Sequence, residues 1–351
     1  MRSFRMRSIS NCNVKKNPLF NNKNILVVRF EVLLYVLVSL AYSYFLSVYF
    51  LDFDNVTDRG NYIVHVLDAE KRFFNSDWSL SGTISFFANE PLWRFINYIL
   101  SQFFDPKKSI AIYIFISSFV FAFSVFIISN RYNHSVHVVF IFALLCLLLP
   151  QVMKNFISHL RQGVAISLFL FSYVFLTGWR QKTIFLLMPF IHASFFFVII
   201  ILYLPKIFGL IKPSVGVGFT FLSFVFLMSG YISLDMASFL GAKQTYYELA
   251  DGRVSGLGFI FWSCVFLIYI KQGSVFVSEN KLALHALLFY ISVYWFFPVA
   301  GRIFESVLIF VLIAALGLRS SNFYFCIFLY IMYFLYQWVP RIGQAGLGWA
   351  G

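Results

Sequence analysis

The chain has 351 residues, of which 60% are hydrophobic and only 12% charged, and its mean hydropathy is +0.81. A soluble domain is about half apolar and about one quarter charged, so this composition excludes a soluble protein. The net charge of +13 does not indicate a nucleic-acid partner, because much of it lies in the amino-terminal segment and in short turns between apolar runs. The apolar runs are long and continuous, which predicts an all-α polytopic membrane protein.

The chain begins with a basic segment. Residues 1–24 contain Arg and Lys but no acidic residue, which predicts a disordered cytoplasmic tail and an amino terminus inside. A first span is predicted at about 32–51, and the acidic residues that follow place the next segment outside. The predicted divisions of the chain are the tail at 1–24, one integral membrane domain at 25–341 with outer loops at 52–90 and 231–255, and a short tail at 342–351.

The first outer loop is the longest polar stretch of the chain. Long connections tend to be functional, although a plain surface cap is the alternative. The loop ends at Glu90, and Pro91 is well placed in the first turn of a helix. The apolar stretch 92–104 is short and contains Arg94, so we predict a re-entrant or interfacial helix there rather than a span.

Eight further spans are predicted at about 110–128, 136–149, 164–176, 216–229, 256–270, 282–297, 303–318 and 323–339. One more apolar segment, 183–204, is interrupted by Pro189 and His192 and is predicted to enter the membrane and return. The fold class is therefore about 9–11 membrane helices with re-entrant segments. This topology places Arg161 outside; if both interrupted segments cross instead, Arg161 lies inside.

A polar junction at 154–165 separates two of these apolar runs. It contains Lys154, Asn155, His159, Arg161 and Gln162. An ionisable residue at the end of a membrane segment is costly, so a functional role at a wet cavity is expected. The alternative is an interfacial arginine that reaches the lipid headgroups.

The predicted outer face collects ionisable residues that could perform chemistry. Two arginines at such a face suit a diphosphate, because guanidinium binds phosphate oxygens in a fixed, bidentate manner. Carboxylates suit the role of general base, with Glu90 and Asp58 as candidates, whereas Arg302 and Glu305 could instead pair with each other. The candidate catalytic residues are Glu90, Arg161, His192 and Arg302. The candidate substrate-binding residues are Asp58, Tyr62, Arg94, His159, Gln162, Tyr246 and Glu305. The four cysteines are isolated, and neither a metal site nor a cofactor is expected.

Several short motifs resemble those of one known family. The stretch Asn55 to Tyr62 is similar to the Gly-Thr-Asp-Tyr-x-x-Tyr stretch of the EpsG family. The motifs Glu90-Pro91-Leu92, Arg161-Gln162 followed by Ala165, and His192-Ala193-Ser194 occur in that family's order and approximate spacing, and Arg302 begins a late span as in the family. The likeness covers about residues 45–320, and Arg59-Gly60 departs from the usual pattern.

The resemblance implies a polymerase of bacterial O-antigen or exopolysaccharide with a fold like that of GT-C glycosyltransferases. Such an enzyme would transfer a growing glycan from undecaprenyl diphosphate to the next lipid-linked repeat unit, at the periplasmic face of the inner membrane, by inversion and without a metal. Arg161 and Arg302 would hold the diphosphate, and Glu90, or else His159 or His192, would accept the proton. The implied partners are the undecaprenyl diphosphate-linked oligosaccharide, membrane lipid and a chain-length regulator protein.

Three alternatives remain open from the residues alone. A flippase or transporter of lipid-linked oligosaccharide would use the same arginines, but the spans show no two-half repeat of the kind that many transporters have. A structural subunit would use the charges as interfacial anchors. A ligase that moves the finished glycan to a lipid acceptor would need similar chemistry.

Overall fold

The computed structural model describes residues 30–50, 56, 58–74, 89–207, 222–232, 256–295, 297 and 299–349. This part of the chain contains seventeen α-helices and no β-strand, which confirms the all-α prediction. The first nine helices are α1 (Phe30–Tyr49), α2 (Arg59–Leu67), α3 (Ala69–Phe74), α4 (Pro91–Ser101), α5 (Pro106–Ser129), α6 (Val136–Leu147), α7 (Pro150–Ile157), α8 (Leu160–Phe175) and α9 (Gly178–Leu187). The remaining eight are α10 (Phe195–Ile207), α11 (Leu222–Ile232), α12 (Leu257–Lys271), α13 (Ser274–Glu279), α14 (Lys281–Val293), α15 (Ala300–Glu305), α16 (Leu308–Ala314) and α17 (Ser320–Trp338). The predicted tail at 1–24 and most of the loop at 231–255 lie outside the described residues.

Three described helices are long and apolar enough to cross a membrane. They are Phe30–Tyr49, Pro106–Ser129 and Ser321–Arg341. Helices α6 and α7 together would make a fourth span, bent by 56° at the break between them. Shorter apolar helices, among them α8, α12 and α14, add to the apolar bundle. These features support a multi-pass membrane protein, whereas the number of crossings and the side of each loop stay predictions.

Helix α5 lies at the centre of the amino-terminal half and packs against both α1 and α8. Asp105 caps its first turn by accepting a hydrogen bond from the amide of Lys108 at 2.9 Å. Small side chains allow close approach to α8: the hydroxyl of Ser167 donates to the carbonyl oxygen of Ser117 at 2.8 Å. Small polar residues at helix contacts are typical of membrane bundles, because they bring backbones close and keep their hydroxyls bonded.

The polar junction folds into a tight turn between α7 and α8. Gly163, in the first turn of α8, lies against the backbone of Asn155 in α7, and a methyl group on it would overlap the carbonyl oxygen of Asn155. The absence of a side chain therefore permits the close packing of these two helices. This packing fixes where Arg161 and Gln162, which precede the glycine, project.

We expect Gly163→Ala to destabilise the protein by about 1–3 kcal/mol, the usual cost of forcing an extra carbon into a packed contact. Gly60→Ala is the matched control, because no atom of the described residues outside the local backbone of α2 lies within 4 Å of an added Cβ there. Melting temperatures of the detergent-solubilised variants measure the difference. Equal melting temperatures for the two alanine variants would show that the α7–α8 contact can relax.

Two predicted apolar segments are broken in the structure. The segment 303–318 is divided between α15 and α16. At the break the backbone amide of Ser306 bonds to the carbonyl oxygen of Ile303. The carbonyl oxygen of Arg302 accepts from the side-chain amide of Gln162 at 2.7 Å and from the hydroxyl of Ser306 at 3.2 Å. The interruption expected near Pro189 and His192 is present, since α9 ends at Leu187 and α10 begins at Phe195.

Candidate functional site

Two acidic candidates occupy unusual backbone positions. Asp58 and Glu90 immediately precede α2 and α4, with φ angles of 65° and 59°, and neither side chain caps its helix. Among the described residues, the only other non-glycine residue with positive φ is Leu347. Such left-handed conformations cost about 1 kcal/mol or more and cluster at functional sites. The Asp58 carboxylate accepts instead from the side-chain amide of Asn61 at 3.4 Å.

Glu90 is the centre of a buried charge cluster. The guanidinium of Arg161 donates to its Oε2, and its Oε1 lies 2.9 Å from His192 Nδ1 and accepts from the amide of Ala193 at 3.0 Å. Only 7% of the Glu90 side chain is exposed. Burial alone would raise the pKa of Glu90, but the charge of Arg161 and the contacts with His192 outweigh it and lower the pKa to about 2. Glu90 is therefore ionised, with both oxygens occupied.

Aromatic rings surround the Arg161 side of this cluster. The guanidinium carbon of Arg161 lies 5.9 Å from the ring centroid of Tyr62, within cation–π distance. Tyr62 contacts Trp93 edge-on, and Trp93 packs against Tyr113. The hydroxyl of Tyr113 donates to Asn97 Oδ1 at 2.9 Å. These contacts hold α2, α4 and α5 around the arginine.

His159 lies between two further candidates. Its Nε2 is 4.0 Å from Asp58 Oδ2, and its Nδ1 is 4.0 Å from Glu305 Oε2. Burial lowers the pKa of His159 to about 3, with a smaller contribution from the positive charges of Lys154 and Arg302. The imidazole is therefore neutral near pH 7, and these two contacts are not ion pairs. The facing atoms, His159 Nδ1 and Glu305 Oε2, are buried without a hydrogen-bond partner in the described part of the chain.

A third set of contacts joins α8 to α15. Gln162 donates to the Arg302 carbonyl and, at 3.1 Å, to the hydroxyl of Ser306. Ser306 also shares a hydrogen bond of 2.9 Å with Ser194. The Arg302 side chain is exposed. The segment after His192, the start of α8 and the break between α15 and α16 therefore meet at one place.

Ten of the eleven candidates fall in the described residues, and these contacts bring nine of them together, in α2, α8, α15 and the turns before α2, α4, α8 and α10. The tenth, Arg94, lies one turn into α4, where its Nε donates to the carbonyl oxygen of Asn89 at 3.1 Å. Tyr246 lies outside the described residues. No group of three or more His, Cys, Asp or Glu side chains suited to a metal ion occurs among the described residues.

The list of candidates left out several residues that contact this site. They are Trp93, Asn97, Ala193, Ser194 and Ser306. Three of them carried a signal: Asn97 is a polar residue inside an apolar stretch, and Ala193 and Ser194 belong to the motif that begins with His192. Ser306 gave none, because its partner Gln162 is 144 positions away in the chain.

Comparison with known proteins agrees with the motifs. The EpsG family matches residues 41–345, which is most of the chain. No significant match was found among curated proteins or among solved structures. Family membership supports a role as a polysaccharide polymerase of the glycosyltransferase type, in the membrane. The chain therefore belongs to the EpsG family.

Proposed function

We propose that the protein polymerises lipid-linked oligosaccharide repeat units of O-antigen, capsule or exopolysaccharide. In this proposal a glycan moves, with inversion at its anomeric carbon, from undecaprenyl diphosphate to the next lipid-linked unit at the periplasmic face of the bacterial inner membrane. The observation that carries the proposal is the buried Glu90–Arg161–His192 cluster. It combines a fixed cation, which can stabilise a diphosphate leaving group, with an oriented imidazole, which can act as general base.

The transfer forms one bond and breaks one. The acceptor hydroxyl oxygen attacks the anomeric carbon of the donor sugar, and the bond from that carbon to the diphosphate oxygen breaks. The bonding pair leaves with the lipid diphosphate, whose added charge Arg161 and Arg302 stabilise. Because the arginines supply the positive charge, the proposed step uses no metal ion.

His192 fits the role of general base better than Glu90. With its pKa near 2 and both oxygens engaged, Glu90 is a weak proton acceptor. His192 Nδ1 forms the hydrogen bond with Glu90, while its Nε2 is buried without a hydrogen-bond partner among the described residues. A carboxylate that accepts from one imidazole nitrogen orients the other for proton transfer. Glu90 then acts as the positioning residue for both His192 and Arg161.

Deletion of the gene in the native strain, followed by gel display of the surface glycan, tests the function. We expect single-repeat material on an intact carrier, and full-length chains again when the wild-type gene is restored. A gene carrying His192→Gln should fail to restore polymerisation, because loss of a general base slows a reaction by about 10²–10⁴-fold.

A gene carrying His137→Gln serves as the control, because His137 belongs to α6 and has no contact with this cluster among those described. It should restore chain length. Repeat units that accumulate on the cytoplasmic side with no surface glycan would instead identify a flippase. Normal polymer with no transfer to the final lipid acceptor would identify a ligase. Either outcome would refute the polymerase proposal.

A further inference from the structure

A cavity adjoins the candidate site between α2, α3, α4 and the start of α8. Its volume is ≈ 60 Å³, several times the roughly 10–15 Å³ that a cavity needs to hold one water. The polar and aromatic residues that line it, apart from Glu90, are His65, Asn89, Trp93, Arg94, Asn97 and Arg161. Arg94 therefore shares this cavity with Arg161.

Two N–H donors of the lining residues have no acceptor. Trp93 is 1% exposed, and its indole Nε1 has no hydrogen-bond partner among the described residues. The same holds for Nε of Arg161, whose Nη1 is directed at Glu90. A buried donor without a partner costs about 1–3 kcal/mol. Two such donors in the wall of one cavity indicate a ligand that supplies acceptors.

Two acceptor groups of the same wall already receive hydrogen bonds. Both oxygens of Glu90 are engaged by Arg161, His192 and the backbone amide of Ala193. Asn97 Oδ1 accepts from Tyr113. The two unpartnered groups of the wall are donors, so they favour a ligand that supplies acceptor oxygens.

Charge favours the same class of ligand. Arg94 and Arg161 contribute two positive charges to the lining, and Glu90 contributes one negative charge. A phosphoryl group is anionic and presents only acceptor oxygens, and guanidinium binds it in a bidentate manner.

We propose that this cavity binds a phosphoryl group of the lipid diphosphate, with Arg94, Arg161 and the indole N–H of Trp93 donating to its oxygens. This inference rests on the proposed function, since it names the part of the substrate that the cavity holds. Arg94 and Arg161 then form the phosphoryl subsite. The aromatic packing of Trp93 against Tyr62 and Tyr113 holds its N–H in place.

Binding of undecaprenyl diphosphate, which has no sugar, tests the proposal on the full-length protein in lipid nanodiscs. Undecaprenol, which lacks phosphate, and inorganic diphosphate are measured beside it. We expect Arg94→Gln to weaken binding of undecaprenyl diphosphate by at least about 10-fold, since it removes a charged hydrogen bond. Trp93→Phe, which keeps the ring but removes the N–H, should weaken binding by about 5-fold. The control Arg180→Gln, at an exposed arginine over Trp179 in α9, should leave the affinity unchanged.

The outcomes separate the possible ligands. Arg94-dependent binding of the lipid diphosphate, with inorganic diphosphate as a competitor, supports the proposal. Arg94-dependent binding of inorganic diphosphate alone would mean that the cavity binds a free anion. Equal binding of undecaprenol and undecaprenyl diphosphate would mean that the cavity binds no phosphate. Either result overturns the proposal. Wild-type lipid affinity in both Arg94→Gln and Trp93→Phe overturns it as well. Size-exclusion profiles confirm that each variant is folded.

The assay contains neither donor sugar nor acceptor, so it does not depend on polymerisation. A deletion strain that behaved as a flippase mutant would refute the proposed function and leave the binding result intact. Wild-type affinity in the two variants, together with a polymerase phenotype in the deletion strain, would refute the phosphoryl subsite alone.

Discussion

Arg161→Lys lowers the rate of chain extension by at least about 100-fold while the amount of protein in the membrane stays the same. Lysine keeps the positive charge beside Glu90 but lacks the planar guanidinium. That group can donate to Glu90, lie over the Tyr62 ring and donate to a phosphate oxygen at the same time. Removal of one donor that stabilises a developing oxyanion costs about 10²–10³ in rate. The length distribution of glycan made by the complemented deletion strain, and the initial rate with lipid-linked repeat units, measure the effect.

The control for this variant is Arg319→Lys. Arg319 is exposed, immediately before α17, and its replacement should leave chain length at the wild-type value. If Arg161→Lys also gave wild-type chains, Arg161 would act as a headgroup anchor, for which lysine and arginine are equivalent. The interfacial interpretation of the polar junction would then be the correct one.

Glu90→Gln destabilises the protein by about 3 kcal/mol, because it leaves Arg161 without its counter-ion in a largely buried site. The same change removes the group that orients His192, so chain extension should fall together with stability. The double variant Glu90→Gln/Arg161→Gln should recover part of the lost stability, because it removes both charges rather than one. A double variant no more stable than Glu90→Gln would show that the ion pair is not the cause.

The stability effect of Glu90 depends on pH with a defined sign. The folded-state pKa, about 2, lies below the ordinary value of 4.5. The contribution of the ionised carboxylate is therefore complete above about pH 4.5 and is lost as the pH falls toward 2. Melting temperatures of the wild type and Glu90→Gln should differ at pH 7 and converge in acid. Asp105→Asn, at an exposed carboxylate beside Lys108, should stay close to the wild type.

Much of the fold was predictable because long apolar runs in a sequence identify membrane helices. Apolar length alone located α1, α5 and α17, and Pro189 with His192 marked the break before α10. The division of 303–318 into two helices was not predictable. The break lies beside the hydrogen bond between the Gln162 side chain and the Arg302 carbonyl, and a single sequence contains no signal for a side chain that bonds a backbone group 140 positions away.

In the candidate site, the residue types could be selected from the sequence but their roles could not. Rare ionisable residues in an apolar chain were sufficient to select Glu90, Arg161 and His192 as candidates. Their roles depended on distance: the charge of Arg161 and the contacts with His192 lower the pKa of Glu90 against the effect of burial, and for that reason we assign the role of base to His192 in the proposed mechanism. Trp93 could not be selected, because the sequence does not show which of its many aromatic residues has an indole N–H without a hydrogen-bond partner.

The left-handed backbone at Asp58 and Glu90 has a practical consequence for engineering this protein. Glycine adopts such conformations without strain, so a programme that seeks thermostable variants would test it at both positions. At Glu90 the loss of the buried ion pair with Arg161 outweighs the relieved backbone strain. At Asp58, whose carboxylate is partly exposed and does not cap its helix, the relief of strain is opposed by no such pair. A screen for stability alone would therefore keep Glu90 and accept glycine at Asp58, which is a candidate binding residue.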